Sequence, residues 1–323
     1  MPALLIHLVN MSCPSVDLNT GQQMPIVGLG TSKSPGATIR NVVKDALNAG
    51  YRHFDCAYVY QNEMDIGDVI QNYILKGKLG RENLFISSKL GCSFGHPSHI
   101  HDAYQKTLKN LRLEYLDLFY IHWPFALKYT GPDNLFPSDE HGNLLFDEKT
   151  DFIDTWRELE KLYTSEKVKA IGLCNFNISQ IQRILDECNI TPAVHQFECH
   201  PYLGQQALVD FCHSKNISVV GYSPLCSSDR PNLPANVSIF NEGILKTLAA
   251  KYKKSVGQII LRYQIQRGIT VIPRSTNATR IADNINIFDF ELSDEDISSI
   301  NELDRGIRIM YPDKFSTHKH FPF

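Results

Sequence analysis

The stretch "IVGLGTSKSPG", residues 26–36, decides between two folds. A short apolar run meets two glycines and a turn, as in the phosphate-binding loop of a dinucleotide-binding sheet. That loop needs G-x-G-x-x-G opening a helix, because the third glycine lets helix and strand pack closely. Here Gly28 and Gly30 are followed by Lys33 where the third glycine would stand. The fingerprint fails, so the run is read as the first strand of a different alternation.

Seven further apolar runs follow: "YRHFD" (51–55), "LFISSK" (84–89), "LDLFYIHW" (116–123), "VKAIGLCN" (168–175), "AVHQFE" (193–198), "ISVVGYS" (217–223) and "ITVIPRS" (269–275). Amphipathic stretches separate them. In "TIRNVVKDALNAG" the residues Ile39, Val42, Val43, Ala46 and Leu47 keep helical spacing and Gly50 stops the helix. "DTWRELEKLYTSEK", "ALVDFCHSKN" and "NEGILKTLAAKYKK" read the same way. Strands alternating with helices imply parallel pairing, and eight units imply closure. The expected class is α/β, a (β/α)8 TIM barrel. "SVDLNTGQQMP" before the first run reads as an N-terminal β-hairpin cap turning at Asn19–Gly21. Two long rim loops (124–150 and 224–240), a last helix from "SDEDISSINEL" and a C-terminal tail (304–323) complete the plan. No linker divides the chain, so residues 1–323 are expected to form a single domain. Residues 1–11 are expected to be a flexible extension, with Met11 a second plausible start.

Composition narrows the function. The 323 residues are 43% hydrophobic and 21% charged with a net charge of -3, as in a water-soluble globular protein. No basic block suggests nucleic acid, and no apolar run of about 18 residues spans a membrane. "MPALLIHLVN" lacks a basic start and a cleavage site, so no export is expected. Eight cysteines without a C-x-x-C pair read as reduced thiols of a cytoplasmic protein. His96, His99 and His101 are too irregularly spaced for a metal site, and Trp156 reads as helix packing.

In a barrel of this kind the chemistry gathers at the C-terminal strand ends. Those ends carry Asp55, Lys89, His122, Asn175, Gln196, Glu198, Tyr222 and Arg274, and Tyr60 lies one turn beyond Asp55. Buried strand ends are costly places for charge unless the charges are paired. A tyrosine can act as general acid if a lysine beside it brings its pKa down toward working pH. A carboxylate would hold that lysine. Asp55, Lys89 and Tyr60 supply the chain, with His122 placed to orient a substrate oxygen or assist the proton. The set suits protonation of a carbonyl oxygen as a nicotinamide delivers hydride.

"GYRHFDCAYVYQNE", "SKL", "LDLFYIHWP", "QFECHPYL", "GYSPL" and "IPRS" through "RIADN" resemble, in order, the signatures of the aldo-keto reductase superfamily, most of all its aldose and aldehyde reductase branch. The likeness runs from Val16 to the C-terminus. It implies NADPH-dependent reduction of aldehydes and ketones by a catalytic tetrad of Asp55, Tyr60, Lys89 and His122, in a monomer without a metal. The alternative it carries is a non-catalytic NADPH-binding, redox-sensing subunit. It further implies that Tyr222 stacks on the nicotinamide, with Asn175 and Gln196 on its carboxamide. Gly30, Thr31 and Asp55 would lie beside the cofactor. Ser223, Leu225, Ser227 and Asp229 would cover the pyrophosphate. Arg274, Ser275, Thr276 and Arg280 would take the 2'-phosphate, and Asp283 and Asn284 the adenine. Ser32, Val59, Gly91, Trp123, Met310 and Tyr311 would line the substrate pocket. Three features depart from the family pattern. Ser32 and Gly91 stand where tryptophans are common, Cys174 stands where a serine is usual, and the tail has its own residues at Met310, Tyr311 and Pro312. The two lost indoles imply a wide pocket unless Tyr311, Phe315 or aromatic residues of the 124–150 loop fill it.

Overall fold

A computed structural model describes residues 13–226 and 238–323. The expected extension at 1–11 lies outside the described residues, as do Ser227 and Asp229. Strands β1 (Ser15–Asp17) and β2 (Gln23–Pro25) pair antiparallel. Gly21 in the turn has φ +81°, a left-handed conformation that glycine adopts without strain.

Eight strands then pair in parallel in chain order: β3 (Leu29–Gly30), β4 (His53–Asp55), β5 (Phe85–Leu90), β6 (Leu118–Ile121), β7 (Ile171–Cys174), β8 (Val194–Glu198), β9 (Ser218–Tyr222) and β10 (Ile269–Val271). Seven fall within one of the eight apolar runs, and β5 extends one residue past its own, to Leu90. The ring closes where Val27 bridges Val271 in parallel; Gly28 N donates to Val271 O at 2.8 Å, and Val271 N to Ile26 O at 3.0 Å. The expected barrel is therefore present. Inside it, Phe85, Leu118, Tyr120, Val194 and Val220 pack together, and Leu18 and Met24 of the hairpin join them. The hairpin thus plugs the N-terminal end and leaves the other end for a site.

Helix Gly36–Asn48 buries the five residues of its predicted stripe against the strands, and Gly50 follows with φ +99°. A fully buried Val, Leu or Ile contributes about 1.5–3 kcal/mol, so a charge at Val43 would break this contact. Helices Phe152–Thr164, Gln206–Ser214, Gly243–Tyr252 and Asp294–Asn301 lie where periodicity puts them, within three residues. The first begins early because Asp151 accepts from Ile153 N and caps it. Trp156 is fully buried there, its Nε1 donating to Ile190 O at 3.2 Å.

The 124–150 loop is not loose coil. Leu127 bridges Phe146 and Ser138 bridges Leu144, both antiparallel, so the loop folds back on itself. The tail returns across it: Phe315 packs on Phe125 and Trp123, with ring centroids 4.9 and 5.8 Å apart.

Candidate active site

Asp55 ends β4, Lys89 sits one residue from the end of β5, and His122 follows β6. The parallel register sets Asp55 beside Ser87 and Lys89 beside Tyr120, so these strand ends converge. Lys89 Nζ donates to Asp55 Oδ1, and to Cys56 O at 2.9 Å. Asp55 Oδ2 accepts from Ser87 Oγ at 2.9 Å and from Gln196 Nε2 at 2.8 Å. Both charges are buried, and these bonds satisfy them. Burial disfavours the Lys89 charge, but Asp55 and Tyr60 outweigh it and hold the ammonium above its ordinary pKa.

Tyr60 ends a single 3-10 turn, Tyr58–Tyr60, directly after that carboxylate. Gln61 closes the turn in the left-handed region at φ +55°, and its Nε2 donates to Tyr58 O at 2.9 Å. Asn62 Nδ2 donates to Thr31 O at 2.8 Å and Ser34 O at 2.9 Å, which staples the turn to the first rim loop. The Lys89 ammonium lies 5.4 Å from the Tyr60 ring centroid, and the His122 ring meets Tyr60 edge-on at 6.2 Å. Asp55 and Lys89 thus form a buried row, with Tyr60 and His122 half-buried before them facing a cleft.

The phenol corrects one expectation. Burial pushes the Tyr60 pKa up to about 12, and the Lys89 charge only partly offsets it. The lysine does not bring the phenol down to neutral pH, because desolvation is the larger effect. Tyr60 therefore stays protonated, the state that a proton donor requires. His122 moves the other way. Burial, then the Lys89 charge, lower it to about 3, so the imidazole is neutral and suited to hydrogen bonding.

The cleft has a volume of about 1340 Å³. That exceeds the usual range of small-molecule pockets, about 300–1,000 Å³. Gly30 lines it, and a Cβ there would sit 2.7 Å from Ile272 O, so only glycine fits between β3 and the segment after β10. Thr31 also lines it, though its hydroxyl donates to Asp55 O at 2.8 Å. Tyr222 OH donates to Asn175 Oδ1 at 2.8 Å, and Asn175 Nδ2 to His122 O at 3.0 Å and Cys174 Sγ at 3.2 Å. Asn175 and Gln196 border the cleft, but these bonds turn their amides toward protein neighbours. Burial raises the Cys174 thiol pKa, so it stays a weak donor, 3.8 Å from Gln196 Oε1. Ser223 and Leu225 continue this wall.

At the far end Arg274, Ser275 and Thr276 lead to helix Ala278–Ile285, which carries Arg280, Asp283 and Asn284. Asn277 caps the helix by accepting from Arg280 N at 3.0 Å. Among the described residues the Arg280 guanidinium makes no hydrogen bond or ion pair. A helix N-terminus joined by two arginines is suited to a phosphate.

At the substrate end Ser32, Val59, Gly91, Trp123 and Met310 line the cleft, and Tyr311 does not. Adjacent residues of an extended segment face opposite ways. Met310 turns inward, whereas Tyr311 packs on Phe321 with ring centroids 5.2 Å apart and stays 38% exposed. Phe315 and Phe136 provide wall instead. Beside Gly91 the room remains: a Cβ there would meet Phe94 at 3.7 Å and Tyr58 at 3.9 Å, both ordinary contacts.

An aldo/keto reductase family model matches residues 26–305. The chain belongs to the aldo/keto reductase family. It is 44% identical over 304 residues to aldo-keto reductase family 1 member A1 of Mus musculus, covering 94% of this chain and 93% of the relative. It is 42% identical over 320 residues to member A1-A of Danio rerio, covering 96% and 98%. Among solved structures, the aldose reductase from Schistosoma japonicum superposes with a TM-score of 0.89 at 41% identity, covering 96% of this chain and 98% of that one. The family resemblance and the fold expected from it therefore stand.

Several residues of this family cleft escaped the motif reading. Ser255, Val256 and Gly257 line it at the start of helix Val256–Gln266. The Ser255–Gln258 capping box was a legible sign of a helix start, although not of its place on the rim. Lys33, Cys92 and Lys314 also line the cleft and carry no local signal. Two of the three histidines have other work. His96 caps helix Pro97–Leu111 by accepting from Ser98 N at 3.3 Å, and His99 stacks on Tyr129 at 4.0 Å. Among the described residues no group of three His, Cys, Asp or Glu side chains is placed to hold a metal.

Proposed function

We propose that this aldo/keto reductase reduces aldehydes and ketones to alcohols with NADPH, with Tyr60 as general acid. The observation that carries the proposal is the Tyr60 phenol facing the cleft, with the Lys89 ammonium of the buried Asp55–Lys89 pair 5.4 Å from its ring centroid. The reduced nicotinamide would supply hydride to the carbonyl carbon. Tyr60 donates its proton to the carbonyl oxygen. Lys89 steadies the negative charge left on the phenol, and Asp55 keeps Lys89 charged and in place. Neutral His122 orients the carbonyl oxygen by a hydrogen bond.

The residues present fit the cofactor. One cleft is lined by Tyr60 at one part of its wall and by Arg280, Asp283 and Asn284 at another. Among the described residues the Arg280 guanidinium has no partner to give up; with Arg274 it would take the 2'-phosphate, aided by Ser275 and Thr276. Tyr222 would face the nicotinamide, with Asn175 and Gln196 beside it. Asp283 and Asn284 would meet the adenine, and Ser223 and Leu225 the pyrophosphate. Ser32, Val59, Gly91, Trp123 and Met310 would bound the carbonyl substrate. We read residues 1–323 as one functional unit that acts as a monomer. All eight cysteines are free thiols, which supports a reducing compartment, the cytosol.

The test is direct. The purified chain is mixed with NADPH and either glyceraldehyde or a bulky aromatic aldehyde, and loss of the reduced cofactor's near-ultraviolet absorbance is followed. Steady consumption with alcohol as product is expected. Tight NADPH binding without turnover of any carbonyl would instead fit a binding-only subunit.

A further inference from the structure

Glu198, the last residue of β8, takes no part in the chemistry above, yet it is fully buried at the same end of the barrel. Among the described residues no lysine or arginine pairs with it. Its partners are main-chain groups and one imidazole. Oε1 accepts from Ile309 N at 2.8 Å and lies 2.9 Å from His200 Nε2; Oε2 accepts from Met310 N at 2.9 Å. The two amides stand 111 and 112 residues further along the chain. The loop after β8 grips the same segment again, since Tyr202 O accepts from Arg305 N at 3.2 Å and Ile307 N at 3.0 Å. Met310, Pro312 and Phe315, which line the substrate end, follow directly.

Burying a carboxylate is costly unless its acceptor sites are filled. An apolar contact could hold the tail with less desolvation, but it would let the main chain slide. Charge-assisted bonds to two successive amides are short and directional. They fix the backbone at Ile309 and Met310, which in turn decides that Met310 faces the cleft and Tyr311 faces out.

We infer that Glu198 is a positioning residue for the carbonyl substrate, setting the Met310–Phe315 wall of the pocket from behind. The inference rests on the reductase reading of the site.

Glu198→Gln tests it with almost no change in volume. Whichever way the amide turns, its NH2 group faces a backbone N–H, so one clamp bond becomes a repulsion. KM for a bulky aromatic aldehyde should rise about fivefold or more, as expected from losing a charge-assisted hydrogen bond at the wall. The kcat for glyceraldehyde and the Kd for NADPH should change less than about twofold, because neither depends on that wall. Amide exchange at Ile309 and Met310 should quicken while β4–β6 keep their protection. Glu198→Asp keeps both acceptor oxygens on a shorter stem and should fall between. An unchanged ratio of the two aldehydes' kcat/KM, with only the melting temperature lowered, would overturn the inference. So would an NADPH Kd that moves as far as the aldehyde KM. A wild-type chain that reduces neither aldehyde would instead overturn the reductase reading on which the inference stands.

Discussion

The Asp55 carboxylate and the Lys89 ammonium form an ion pair whose side chains are only 3% and 0% exposed. Neither charge has water to fall back on. Removing one partner of such a pair typically costs about 3–5 kcal/mol, because the other is left buried and uncompensated. Asp55→Asn should lower the unfolding free energy by that order, measured from urea denaturation. It should also cut kcat, since Lys89 loses the charge that holds it protonated. A stability loss under about 1 kcal/mol would show that water reaches the pair after all.

NADPH should bind more tightly than NADH through the two arginines at the far end of the cleft. Arg280→Ala should weaken NADPH by roughly 1.5–3 kcal/mol, the worth of a hydrogen bond to a charged group, and hardly affect NADH. Equal losses in fluorescence titrations of both cofactors would remove Arg280 from the phosphate site.

Glu63 predicts a dependence of stability on pH. It is fully buried, accepting from Ser88 Oγ at 2.7 Å and Asn110 Nδ2 at 3.1 Å, and burial raises its pKa from 4.5 to about 7. The folded state therefore holds a proton that the unfolded state releases. Stability contributed by this group is present below about pH 4.5 and lost as pH rises toward about 7. The loss is on the order of 3 kcal/mol by the linkage relation. His122 and His195, both lowered to about 3, act in the opposite direction. Their effect cancels in the difference between wild type and Glu63→Gln. That difference, from urea unfolding across this window, should grow with pH; a flat difference would place Glu63 in contact with water.

The eight strands were legible because a strand buried on both faces reads as a continuous apolar run. Asp55 and Lys89 were legible because charge at the end of such a run needs a partner. The Tyr60 pKa was not, because its direction depends on how far burial outweighs the Lys89 charge, which tertiary packing sets. The outward turn of Tyr311 was hidden for another reason. It follows from the grip of Glu198 on Ile309 and Met310, a contact across more than a hundred residues with no periodic trace. Phe136 became pocket wall through the irregular folding-back of the 124–150 loop, which no spacing rule describes.

The space beside Gly91 should govern substrate size. Its φ is -67°, and an added Cβ meets only ordinary contacts, so a side chain is tolerated there. An indole buries on the order of 200 Å². Gly91→Trp should therefore shift kcat/KM toward glyceraldehyde and away from a bulky aromatic aldehyde. A ratio that stays put would mean that Phe136 and Phe315 already close this side.

The central claim is that the Tyr60 hydroxyl gives its proton to the carbonyl oxygen. Tyr60→Phe removes that hydroxyl and keeps the ring in contact with His122. The deciding measurement is kcat for carbonyl reduction by Tyr60→Phe beside its Kd for NADPH. The account predicts a fall in kcat of about 10²-fold or more, the usual worth of a general acid, with the Kd nearly unchanged. A variant that keeps most of its kcat would contradict the account and place the proton donor elsewhere.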